Sequence, residues 1–79
     1  MSELMNIYAR KGDKIVFKHP GSGYDYDQET ARKYLTVGSV YIVERTVTHS
    51  WSTEVFLQEV PNISFNSVLF EDQPRRLNM

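Results

Sequence analysis

The sequence predicts a mainly β domain: a small, closed or nearly closed antiparallel barrel of about five strands, with one short helix inserted between the first two. Three observations carry this. Short alternating runs such as "KIVF" and "EVFL" have a period of two, turn residues separate them at close intervals, and 79 residues leave room for one core.

The first strand lies in "GDKIVFKHP". Gly12 and Asp13 make a turn, Ile15 and Phe17 fall on one face, and Lys14, Val16 and Lys18 fall on the other. Pro20 and Gly21 end the ladder, because proline has no donor. The stretch "GSGYDYDQETARKYLTVGS" follows without β pattern. Asp27 reads as an N-cap with acid after it, and Arg32 and Lys33 suit the far end, so a helix of about two turns is expected. Its docking face is Ala31, Tyr34 and Leu35, spaced i, i+3, i+4.

Gly38 permits the turn into "VYIVERTVTH", where Tyr41, Val43 and Val47 share one side with Arg45 as the exception, and Ile42, Glu44 and Thr46 face the other way. "THSWST" reverses the chain, and "EVFLQEV" returns with Val55 and Leu57 on one face and Glu54, Phe56 and Gln58 on the other. Pro61 and Asn62 read as a second reversal, and "ISF" and "VLFE" continue the meander. The expected core is Ile15, Phe17, Tyr41, Val43, Val47, Val55, Leu57, Phe65, Val68 and Phe70. The chain reads as a single domain over residues 1–79, with residues 1–10 and 73–79 peripheral or frayed.

The frame "GDKIVF", a loop and helix, then "YLTVGSVYIVE", "VFLQEVP" and "FNSVLFE" resembles a group of small SH3-like proteins of bacteria and tailed phages. The likeness spans roughly residues 12 to 72. It implies an SH3-like barrel, in which a single helical turn commonly precedes the last strand, and it implies no particular activity.

Composition narrows the function classes. Nine basic residues against ten acidic ones remove the broad attraction that drives binding to phosphate backbones, so duplex DNA is not an expected partner. Without cysteine there is neither a disulfide framework nor a thiolate metal site. The start "MSELMNIYARKGDK" lacks a basic, then apolar, signal pattern, and no apolar run approaches the ~20 residues that cross a bilayer. The expectation is a cytoplasmic protein read at full length, without membrane attachment.

No nucleophile frame surrounds any serine, and "HPGSGYD" lacks the GK[ST] ending of a phosphate loop. An enzyme is therefore not expected, and neither is a cofactor. His19 and His49 stand thirty residues apart with only Asp25, Asp27 and Glu54 as conceivable co-ligands, a spacing that presets no metal site, so both read as solvent-facing turn histidines.

Contact residues are more promising. Tyr24 and Tyr26 alternate with aspartates on a loop, Trp51 occupies a polar hairpin tip beside His49 and Ser52, and Asn66 and Ser67 precede the last strand. Each has a plainer alternative: the tyrosines and Trp51 would close the barrel, and Asn66 and Ser67 would serve only their own turn. The leading expectation is a non-catalytic module that binds a protein partner, a host or defence component if the phage-like resemblance holds. The alternatives are a protein that sequesters a small polar ligand or nucleotide, and a single-stranded nucleic-acid binder using Lys11, Lys14, Lys18, Arg32 and Lys33 as a basic face. Unpaired sheet edges leave a homo-oligomer open, although the charges in "ERT" and "QEV" oppose edge pairing.

Overall fold

The computed structural model describes residues 4–73. Its elements are β1 (Lys14–Phe17), α1 (Asp25–Tyr34), β2 (Val40–Thr48), β3 (Thr53–Leu57), β4 (Val60–Asn66), a 3₁₀ turn (Ser67–Leu69) and β5 (Phe70–Asp72). All strand pairs are antiparallel, in the order β4-β3-β2-β1-β5. The expected mainly β fold of five antiparallel strands and one short helix is present, with α1 packed against β4; the sheet does not close on itself, and β4 and β5 are its two edges.

The core gathers Ile15, Phe17, Val43, Val55, Leu57, Phe65, Leu69 and Phe70 from the sheet and turn, with Ala31 and Leu35 from the helix face foreseen for it. Tyr34, the third residue of that face, stays largely exposed but sets its ring edge-on to Phe65 at 6.5 Å. Met5 and Ala9 join the same cluster, and Met5 N–H donates to Phe70 O (3.0 Å). The N-terminal stretch is therefore not peripheral at those positions. At the other end, Gln73 N–H donates to Lys14 O (3.2 Å), and the rest of the expected frayed tail lies outside the described residues.

Three irregularities displace side chains from the faces that simple alternation assigns. In β2 the register against β3 shifts between Val43 and Arg45. Val43 still faces Leu57 across the strands, but beyond the shift Arg45 pairs with Phe56, Thr46 with Val55, and Val47 with Glu54. Directly opposed residues share a face, so Thr46 takes the core side and Val47 moves to the side of Glu54. Val47 is accordingly only half-buried, and Arg45 lays its guanidinium 3.8 Å from the Phe56 ring centre.

The second irregularity is in β4. The chain reverses at Gln58 and Glu59, between the paired residues Leu57 and Val60, and not at Pro61 and Asn62. Pairing then jumps from Val60 to Ser64, so Pro61 falls in an irregularity of an edge strand, where its missing donor costs no ladder bond. The third is the 3₁₀ turn, which breaks the period of two and exchanges Val68, half-buried, for Leu69 in the core. Tyr41 is also only partly buried, with its hydroxyl accepting Thr36 N–H (2.7 Å). Val16, expected on the open face, is buried opposite Val40 and Glu71, because β1 is flanked by a strand on each side.

Candidate functional site

The helix begins earlier than its sequence signals suggest. Tyr24 is the cap residue, and Tyr26 belongs to the first turn instead of a loop. Asp27, expected as the N-cap, is the third helical residue, and its Oδ2 accepts the Tyr24 N–H (2.9 Å). A carboxylate there satisfies one of the donors a helix start leaves unpaired and complements the helix dipole. Gly23, at φ +81°, turns the chain into this start, and a Cβ at that position would lie 3.1 Å from Asp27 Cβ and Oδ2. Only glycine fits both the dihedral and the approach.

Asp27 is also where the helix meets the end of the sheet. Asn66 Nδ2 donates to the same Asp27 Oδ2 (3.2 Å), while Asn66 Oδ1 accepts Val68 N–H (3.2 Å). Asn66 thus caps its own turn and ties that turn to the helix start. Ser67, its neighbour, is buried and stands apart from the cleft described next.

Between the helix start, the β2–β3 hairpin tip and the end of β4 lies a cleft of about 270 Å³. Tyr26 and Asp27 line it from the helix, His49, Trp51 and Ser52 from the hairpin tip, and Asn66 from the end of β4. Phe65 connects the lining to the core, and Thr53, Glu54 and Ser64 complete it. Of the six contact residues expected from sequence, the cleft unites Tyr26, His49, Trp51 and Asn66. Tyr24 adjoins it by stacking on Tyr26, with ring centres 5.6 Å apart and planes within 6°. Ser67 is left to the core.

The rim aromatics are open to solvent: Trp51 is 78% exposed, Tyr26 66% and Tyr24 62%. None closes the sheet. Trp51 stacks on His49 at 5.4 Å with planes 16° apart, and His49 Nε2 donates to Glu54 Oε2. Glu54 leaves β3 on the face opposite the core, and the hydrogen bond from His49 holds its carboxyl below the ordinary value of 4.5, with Ser64 adding a smaller effect.

The histidines are therefore not free turn residues. His19 Nε2 lies 2.9 Å from Glu71 Oε2, at an angle that makes no hydrogen bond. Among the described residues no three or more histidine and carboxylate side chains gather at a metal-binding spacing. Of the five cations considered for a basic face, Lys11 has its Nζ 3.5 Å from the Glu44 carboxylate. No helix among the described residues is long and apolar enough to cross a membrane.

The sequence assigns Asp27 to a helix cap and Glu54 to the open face of its strand, and offers both as conceivable metal ligands, but it places neither in a shared cleft. Their place in the cleft follows from two contacts: the bond from Asn66 to Asp27, thirty-nine residues apart, which no local pattern announces, and the expected β2–β3 hairpin, which sets Glu54 beside His49. The fold and cleft together define a small, mainly β protein with an aromatic-rimmed, carboxylate-bearing surface cleft.

The family is shown by comparison. A family model described as Bacteriophage T4 protein Y07B matches residues 6–75, and the chain belongs to that phage protein family. No match was found among curated proteins or among solved structures.

Proposed function

We propose that this protein is a non-catalytic, phage-type accessory module of SH3-like architecture that engages a protein partner, a host or defence component, through the cleft. The observation that carries the reading is the convergence on one cleft of two stacked pairs, Tyr24 with Tyr26 and His49 with Trp51, whose tyrosine and tryptophan rings stay exposed. A chain this small has little apolar surface to spare, so large aromatics kept out of the core favour use at an interface, where tyrosine and tryptophan are enriched. The SH3-like part of the reading draws support from the order β4-β3-β2-β1-β5 and from the helical turn just before the last strand. Family membership supports the phage setting.

A small polar ligand is the second reading, favoured by the polar groups of Asp27, Glu54 and Asn66 inside the cleft. A nucleotide suits it poorly, since its phosphates would approach two carboxylates. Single-stranded nucleic acid meets the same objection.

The test is capture from a bacterial host lysate by the full chain and by Trp51→Ala, followed by titration of the recovered protein against both at moderate salt. A binary complex weakened at least tenfold by Trp51→Ala is expected. Equal binding by the variant, or affinity that collapses with salt and is competed by single-stranded nucleic acid, overturns the reading.

A further inference from the structure

The cleft carries a chemical signature more specific than a general contact surface. Its two ionisable acids come from separate elements, Asp27 from the first turn of α1 and Glu54 from β3, and among the described residues no lysine or arginine belongs to its lining. Asp27 is held in place through Oδ2 by the Tyr24 N–H and the Asn66 amide, while its Oδ1 takes no hydrogen bond among the described residues. Besides His49, Arg45 exerts a charge effect on Glu54, and its guanidinium is already placed over Phe56.

The aromatic walls match. Tyr24 backs one face of Tyr26, and His49 backs one face of Trp51. Stacking of this kind fixes the plane of each exposed ring and leaves the opposite face for a ligand, and that face is electron-rich and attracts cations. A volume of about 270 Å³ falls below the ~300–1,000 Å³ typical of sites for whole drug-sized molecules, which suits one inserted side chain.

We propose that the cleft takes the guanidinium of an arginine side chain presented by the protein partner, between the Tyr26 and Trp51 rings and against the carboxylates of Asp27 and Glu54. Arginine meets these demands better than lysine: its planar fork donates to two oxygens at once and stacks on aromatic faces, whereas an ammonium acts as a strongly hydrated point charge. The inference rests on the protein-partner reading and names what that partner must offer.

The test uses the full chain and short capped peptides. The indole resonance of Trp51, the only tryptophan, is followed while acetyl-Gly-Arg-Gly-amide is added, then its citrulline and lysine counterparts. Citrulline keeps the shape of arginine and removes the charge. The expected result is a saturable shift with the arginine peptide, and roughly tenfold weaker binding of the citrulline peptide, as loss of a charge-assisted hydrogen bond implies. Glu54→Gln, which leaves the Asp27–Asn66 tie intact, is expected to weaken the arginine peptide several-fold. No shift with the arginine peptide, or equal affinity for citrulline or lysine, overturns the assignment. Those outcomes leave the protein-partner reading standing, because that reading falls only if the captured partner ignores Trp51→Ala.

Discussion

Two sets of aromatic rings in this protein obey different packing rules. In the core, Phe17 tilts 49° against Phe70 at 6.0 Å, and Phe65 meets Phe70 edge-to-face at 83° and 6.3 Å. At the rim, Tyr24 lies flat on Tyr26, and Trp51 lies nearly flat on His49. Tilted rings fill volume in three dimensions and bury edges and faces alike, whereas parallel stacks on a surface hide one face and keep the other available. The core rings are also all phenylalanine, while every rim ring bears a polar atom that would need a partner if buried. The contrast teaches that the core triad holds the fold and the rim contributes little to it.

The sharpest way to break that comparison is Phe70→Ala. Phe70 is fully buried, touches both other core phenylalanines and begins β5 opposite Phe17. Removing a buried phenylalanine ring costs about 3–5 kcal/mol, a large part of the ~5–15 kcal/mol that stabilises a typical domain. Chemical denaturation of the variant is expected to show a marginal or lost transition. A cost below about 1 kcal/mol would mean that the triad is not the centre of the fold.

Next in size is the comparison of Leu69→Ala with Val68→Ala. Alternation along "FNSVLFE" assigns Val68 to the core, and the 3₁₀ turn assigns Leu69 instead. Leu69→Ala is expected to cost about 2–5 kcal/mol and Val68→Ala clearly less, read from denaturation midpoints. The reverse order would restore the simple strand reading and remove the turn.

What was legible in the sequence follows the same division. Ile15, Phe17, Val55 and Leu57 sit in regular strands, where a period of two decides the face, and all four are buried as alternation requires. The helix between the first two strands was legible from its composition, as was the position of Trp51 in a hairpin tip. Errors entered wherever a local irregularity reset the period: Val47 after the β2 register shift, Pro61 inside β4, and Val68 in the 3₁₀ turn. The cleft was half legible for a related reason. Solvent-exposed aromatics in polar surroundings announce themselves one at a time, but Asp27 reaches the cleft through a contact between elements distant in sequence, and Glu54 through a side-chain bond across one hairpin that alternation does not specify.

A smaller effect separates the rim from the core by pH. The hydrogen bond from His49 lowers the Glu54 carboxyl below 4.5, so folding favours the ionised form. Stability from this contact is fully present above the ordinary value and is lost as pH falls through the lower folded value. Because 39% of the Glu54 side chain is exposed, screening limits the contribution to less than about 1 kcal/mol. Urea melts of the native chain and of Glu54→Gln are expected to differ slightly at pH 6 and to converge in strongly acidic buffer. A difference that grows as pH falls would contradict the sign of the shift.

The smallest stability effect belongs to the residue on which the proposed binding most depends. Trp51 is the most exposed of the large hydrophobic side chains among the described residues, and its stacking partner His49 remains anchored to Glu54 without it. Trp51→Ala removes no core contact, so its effect on denaturation should stay within about 0.5 kcal/mol, as for surface substitutions generally. The substitution removes the chain's single tryptophan, so far-ultraviolet circular dichroism replaces indole fluorescence as the signal for both proteins. If Trp51→Ala instead cost more than about 2 kcal/mol, the tryptophan would be a structural closure of the hairpin, and its exposure would no longer favour a partner. Unchanged stability combined with lost capture is the pattern that separates a recognition surface from a part of the fold.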